Sequence, residues 1–152
     1  MLIMRSPSML LVVVAACGGT GENIDAEACT DLQAATTGDI TAGEAMDATA
    51  PAVEAPTHAL HITLPASGTG YLSFNSTDDT EYALFTDRWI DIKAFTPTGT
   101  EVPPQAMSMS SSVCGEIKGR HIIELAVAQF YFKLGPDTAG PFAFVLRPYN
   151  PD

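Results

Sequence analysis

Three histidines, His58, His61 and His121, are the side chains in this sequence best suited to hold a transition metal. Neutral imidazole takes copper or zinc. His58 and His61 form an H-x-x-H pair. On a flat strand residues three apart face opposite ways, so joint ligation requires a bend where the strand begins. Met107 and Met109 are two apart and share one face of any strand through them. Imidazole with thioether is a donor set for copper. Cys114, Glu116 and His121 make a second, looser set. Each residue also has a plain role. A methionine at strand spacing fills a core or edge, and a histidine at a strand end makes surface hydrogen bonds.

Other groups offer oxygen or nucleophile chemistry. Asn75, Asp78, Asp79 and Glu81 fall in one short segment and would suit calcium, although the spacing is not that of an EF-hand. The same residues read equally as an Asx-rich hairpin turn. Asp87 and Asp91 are the carboxylates placed to pair. A hydrolase needs an activated Ser or Cys with a base in reach. His121 is the candidate base, yet the sequence holds no G-x-S-x-G, no HExxH and no P-loop, and Ser108 to Ser112 read as a polar loop or edge strand. Trp89, Tyr131 and Tyr149 would make a contact surface for a glycan or protein if exposed, and core if not.

These residues sit among short alternating runs. Leu60, Ile62 and Leu64 share a face, as do Leu72 and Phe74. Tyr82 and Leu84 oppose Ala83 and Phe85; Ile90, Ile92 and Ala94 alternate with polar residues. Ile123, Leu125 and Val127, then Phe130, Phe132 and Leu134, then Phe142, Phe144 and Leu146 follow. Ala66-Ser67-Gly68, Ser76 to Asp79, Pro97-Thr98-Gly99 and Gly135-Pro136-Asp137 are turn chemistry between them. Seven such runs predict an all-β, antiparallel β-sandwich, jelly-roll-like, over residues 58–152.

Residues 18–57 are different. They carry eight acids and no Lys or Arg, and all twelve aromatics lie beyond them. Gly18-Gly19-Thr20-Gly21 reads as a flexible tether. Residues 25–35 predict one short helix capped by Asp25, with Glu27 near its positive end and Cys29 and Leu32 on one face. Ile40 and Ala42 suggest a further strand within 39–49. The sequence therefore divides into 1–17, an acidic tether with a helix over 18–57, and the sandwich. The formal net charge of −11 across 152 residues repels phosphate backbones and argues against a nucleic-acid partner.

Residues 1–17, MLIMRSPSMLLVVVAAC, join a positive start at Arg5 to an apolar run from Met9 to Ala16. The run is too short to span a bilayer and reads as a secretory signal. Its end, Val14-Ala15-Ala16-Cys17, resembles the bacterial lipobox. The resemblance implies lipidation of Cys17, cleavage before it, and a membrane partner held through acyl chains. Gly18 at the next position leans toward the outer membrane. With Cys17 lipidated, Cys29 and Cys114 remain, and an even remainder in an exported chain favours a disulfide; free thiols and metal ligands are the alternatives.

The segments GYLSFNSTDDTEYALF, IDIKAFTPTGTEV and HIIELAVAQFYFKLGPDTAGPFAFVLRP resemble the pre-peptidase C-terminal type of bacterial β-sandwich. That resemblance implies an accessory binding module in contact with surface, matrix or carbohydrate. The expectation is a lipid-anchored envelope protein without catalysis or cofactor, a binding or structural module of unnamed ligand for which protein and glycan are the candidates. The alternatives are an envelope metal-binding lipoprotein using His58, His61 and His121, with Met107 and Met109 as further candidate donors, and a hydrolase.

Overall fold

A computed structural model describes residues 21–149, with side chains from Ile24 onward. The signal, the lipobox and Cys17 lie outside the described residues. The fold is a β-sandwich with one helix against it. In chain order the elements are α1 (Gly21–Gln33), β1 (Gly38–Thr41), β2 (Ala52–Val53), β3 (Leu60–Thr63), β4 (Gly70–Asn75) and β5 (Thr80–Thr86). Then come β6 (Ile92–Phe95), β7 (Glu101–Val102), β8 (Ala106–Ser108), β9 (Gly119–Leu125), β10 (Gln129–Leu134) and β11 (Phe142–Tyr149). One sheet, here sheet A, has the order β1-β3-β11-β5-β9-β8; the other, sheet B, has β2-β4-β10-β6-β7.

The alternation seen in the sequence is what closes the two sheets on each other. Tyr82, Leu84, Ile123, Leu125, Phe142, Phe144 and Leu146 point inward from sheet A. Leu72, Phe74, Phe130, Phe132, Leu134 and Ile92 meet them from sheet B. Phe74 packs edge-on to Tyr82 and stacks on Phe132, with centroids 5.0 and 5.6 Å apart. Such rings carry most of the buried apolar area in a small core.

The sheets are mixed rather than purely antiparallel. β1 runs parallel to β3 and β2 parallel to β4. Between β1 and β3 the chain crosses to sheet B and back, so it re-enters sheet A in its original direction, as a parallel pair requires. The acidic lead expected as a tether over 18–57 is, from Gly21 on, part of the body. β1 completes sheet A, β2 completes sheet B, and α1 lies on the outer face of sheet A.

That outer face explains the helix. Ala83 and Phe85 of β5, Ile122 of β9 and Val145 of β11 project away from the sandwich interior, and all are buried. Ile24, Ala28 and Leu32 recur every four residues, so α1 presents one apolar stripe to them. Asp25 does not cap the helix, which begins four residues earlier. Its carboxylate instead accepts a hydrogen bond from Arg120 Nε at 2.9 Å. A disulfide joins Cys29 to Cys114, with Cα atoms 5.7 Å apart.

The two cysteines are 85 residues apart, so the bond restricts the unfolded chain strongly. Replacing both with serine should lower unfolding free energy by roughly 4 to 5 kcal/mol, the loop-entropy value. Guanidinium unfolding of the two proteins measures it; equal midpoints would show that the bond does not restrain the chain.

Candidate functional site

The three histidines do not meet. His58 precedes β3, is largely exposed, and holds Nδ1 3.1 Å from Asp31 Oδ1. His61 lies within β3, its Nδ1 3.3 Å from Asp39 Oδ1 and 3.4 Å from Thr36 Oγ1. Ile62 beside it faces the core, so His61 faces outward. His121 lies in β9 and shares the inner parity of Ile123 and Leu125. β11 and β5 separate β3 from β9, a distance of about 14 Å at ordinary strand spacing. Opposite faces and three strand intervals rule out one shared ion. The single-metal set His58, His61 and His121 is therefore not assembled.

The other sets separate too. Among the described residues, Cys29, Cys114 and Glu116 form the one group of three His, Cys, Asp or Glu donors drawn together. The sulfurs of that group are bonded to each other and offer no thiolate. Asp78, Asp79 and Glu81 do not converge, so the calcium set lacks its three acids in one place. Asp78 instead accepts from Thr77 Oγ1 at 3.1 Å, and its carbonyl accepts from Ser76 at 2.8 Å. With Asn75 and Glu54 it lines a cleft of about 360 Å³ over Phe74 and Tyr82. Asp87 Oδ1 accepts from the Ala143 amide at 2.9 Å, pinning a loop rather than pairing with Asp91. The serine run is likewise structural: Ser111 Oγ donates to Asp25 at 2.6 Å. Trp89, Tyr131 and Tyr149 sit apart and form no common platform. Tyr131 is buried on sheet B, and Tyr149 lies under Arg120, 5.8 Å from its guanidinium carbon.

Two constellations remain, neither named by spacing alone. The first is the helix clamp. Arg147 of β11 donates through Nη1 to Glu27 at 3.2 Å and through Nε to Asp31 at 3.1 Å, with a further bond from Nη2 to Asp31. Arg120 of β9 holds Asp25 through its Nε alone. Asp25 and Asp31 are both buried, where charge-assisted bonds are strongest and an unpaired acid most costly. The two arginines flank the apolar stripe, and the disulfide closes one side of it. The signal for this clamp was present in β5, β9 and β11. Their apolar residues fall on both parities, as in strands covered on both faces.

The second constellation is His121 itself. It is fully buried, and among the described residues neither Nδ1 nor Nε2 has a hydrogen-bond partner. Trp89 stacks on it, ring centroids 5.0 Å apart and planes inclined by 26°. Thr86, its diagonal neighbour across β5, also buries an unpartnered hydroxyl. Gly119 faces Thr86 because any Cβ there would collide with that hydroxyl. Desolvation lowers the His121 pKa from 6.5 to about 4, with the Asp91 charge opposing the shift. Among the described residues no hydroxyl lies within hydrogen-bond reach of either His121 nitrogen, so no Ser-His pair is brought together there.

No protein-family model and no curated protein matches this chain.

Burial of a neutral histidine has a measurable consequence. Below pH 6.5 the unfolded chain takes up a proton that the folded chain refuses until about pH 4. Stability is thus complete above 6.5 and is lost as the pH falls, by about 3 kcal/mol over the interval. His121→Phe keeps a flat ring against Trp89 and should remove that component. Denaturant unfolding at stepped pH compares the two; identical acid slopes would contradict it.

Proposed function

We propose that this protein is a lipid-anchored bacterial envelope protein whose sandwich is a non-catalytic binding or structural module. One observation carries the reading. Cys29 and Cys114 are bonded to each other, which leaves Cys17 as the remaining cysteine of three. A single unassigned cysteine at the end of a lipobox-like segment is suited to acylation, and two or more acyl chains hold a protein stably where one does not.

The position of α1 supports the same reading. Only Gly18 to Thr20 separate Cys17 from Gly21, where the helix begins. Four links span at most about 14 Å, so an anchor at Cys17 keeps the body close to the bilayer. Force on that anchor passes into α1, which is held by a disulfide and two arginines rather than by packing alone. The net charge of −11 gives no electrostatic attraction to anionic headgroups, so acyl chains must supply the membrane affinity. The strand-and-turn pattern resembling pre-peptidase C-terminal domains favours a surface-contact role, and Gly18 favours the outer membrane.

The test is metabolic labelling of the full chain in a bacterium that processes lipoproteins. An alkyne-tagged palmitate should label the protein and place it in the membrane fraction. Cys17→Ser should abolish the label and leave the leader uncleaved. Label retained by that variant, or an unlabelled parent recovered with its leader in the cytosol, would overturn the proposal.

A further inference from the structure

We propose that His121 and Met107 form a site for a soft monovalent metal ion, Cu(I) or Ag(I), at the open edge of the sandwich beside Trp89. This goes beyond the membrane-anchor reading and does not depend on it. The pair is made by strand register. Met107 stands directly opposite His121 in the antiparallel β8–β9 ladder. Residues so paired project to the same face, with Cβ atoms about 5 Å apart.

Position in the sheet does the rest. β8 is the outermost strand of sheet A, and Met107 there is 56% exposed while His121 is 0% exposed. A solvent-exposed methionine therefore adjoins a buried imidazole whose two nitrogens both lack a partner among the described residues. Leaving such a group unsatisfied is costly, and a metal bond to one nitrogen would relieve it. The methionine chain has three rotatable bonds with which to bring its sulfur to an ion. Imidazole with thioether favours Cu(I) over hard cations, and a filled-shell monovalent ion accepts as few as two donors. Trp89, stacked on the imidazole with ring centroids 5.0 Å apart, holds the His121 ring in place. Neither His58 nor His61 takes part.

Trp89 is the chain's one tryptophan, so its fluorescence reports on this site alone. The experiment titrates Ag(I), in chloride-free buffer, into the full chain carrying Cys17→Ser, which removes a competing thiol. Quenching that saturates at one equivalent is expected, with a matching 1:1 adduct in native mass spectrometry. Met107→Leu preserves side-chain size at an exposed edge and should keep the parent's circular dichroism while weakening binding at least tenfold. Three outcomes overturn the proposal: no fluorescence response to Ag(I), a loss smaller than tenfold in Met107→Leu, or an equal response to Zn(II).

Discussion

Sheet A is apolar on both faces at its centre, and the outer face has to be covered. Phe85, Ala83, Ile122 and Val145 sit on that face and are almost wholly removed from water. Exposing Phe85 alone would forfeit about 2 to 3 kcal/mol of transfer free energy. The helix α1 covers the patch with Ile24, Ala28 and Leu32. An isolated thirteen-residue helix is marginal in water, so α1 depends on the sheet as much as the sheet depends on it. The disulfide and the Arg120 and Arg147 bonds follow from that mutual need. They fix the helix at its rim, where apolar contact ends and the acids Asp25 and Asp31 are buried.

The same constraint organises the amino-terminal half of the described chain. After α1 the chain enters sheet A as β1, crosses to sheet B as β2, and returns as β3. These short strands add edges to both sheets and hold the acidic segment against the body. What looks by composition like a spacer is thus structural. On the other side of sheet A, the interior is hydrocarbon apart from the buried Ser76–Tyr82 hydrogen bond and a polar group near β8 and the turn after β5. There His121, Thr86 and Trp89 gather, and three buried polar atoms go unpaired. Native interiors rarely leave such atoms alone, and the concentration of all three at one edge marks it as a place where something other than packing is at work.

Much of the sandwich was legible in the sequence because its signal is local. Alternation at Leu72 and Phe74, or at Phe130, Phe132 and Leu134, fixes a strand and its inner face without knowledge of any partner. Turns at Gly68 and Gly99, both with positive φ, announced themselves by residue type. The Cys29–Cys114 pairing was favoured, ahead of free thiols or metal ligation, by the even number of cysteines left when Cys17 is read as lipidated. Less local features were not visible. β2, β7 and β8 are two or three residues long, too short for a period to register. The parallel pairs depend on where the chain goes between strands. Ion pairs such as Arg147–Asp31 join residues 116 positions apart, and sequence spacing carries no trace of them. The three histidines looked alike as a set because residue type says nothing of depth. Of the three, one is buried beside an exposed methionine and two are surface partners of aspartates.

The central claim is that α1 is an integral layer of the body rather than a segment resting on it. Amide hydrogen exchange of the oxidised protein tests this most directly. Amides of Asp25 to Gln33 should exchange with protection close to that of β5 and β9, because one cooperative unit opens as a whole. Exchange of those amides within seconds, while β5 and β9 stay protected, would contradict it.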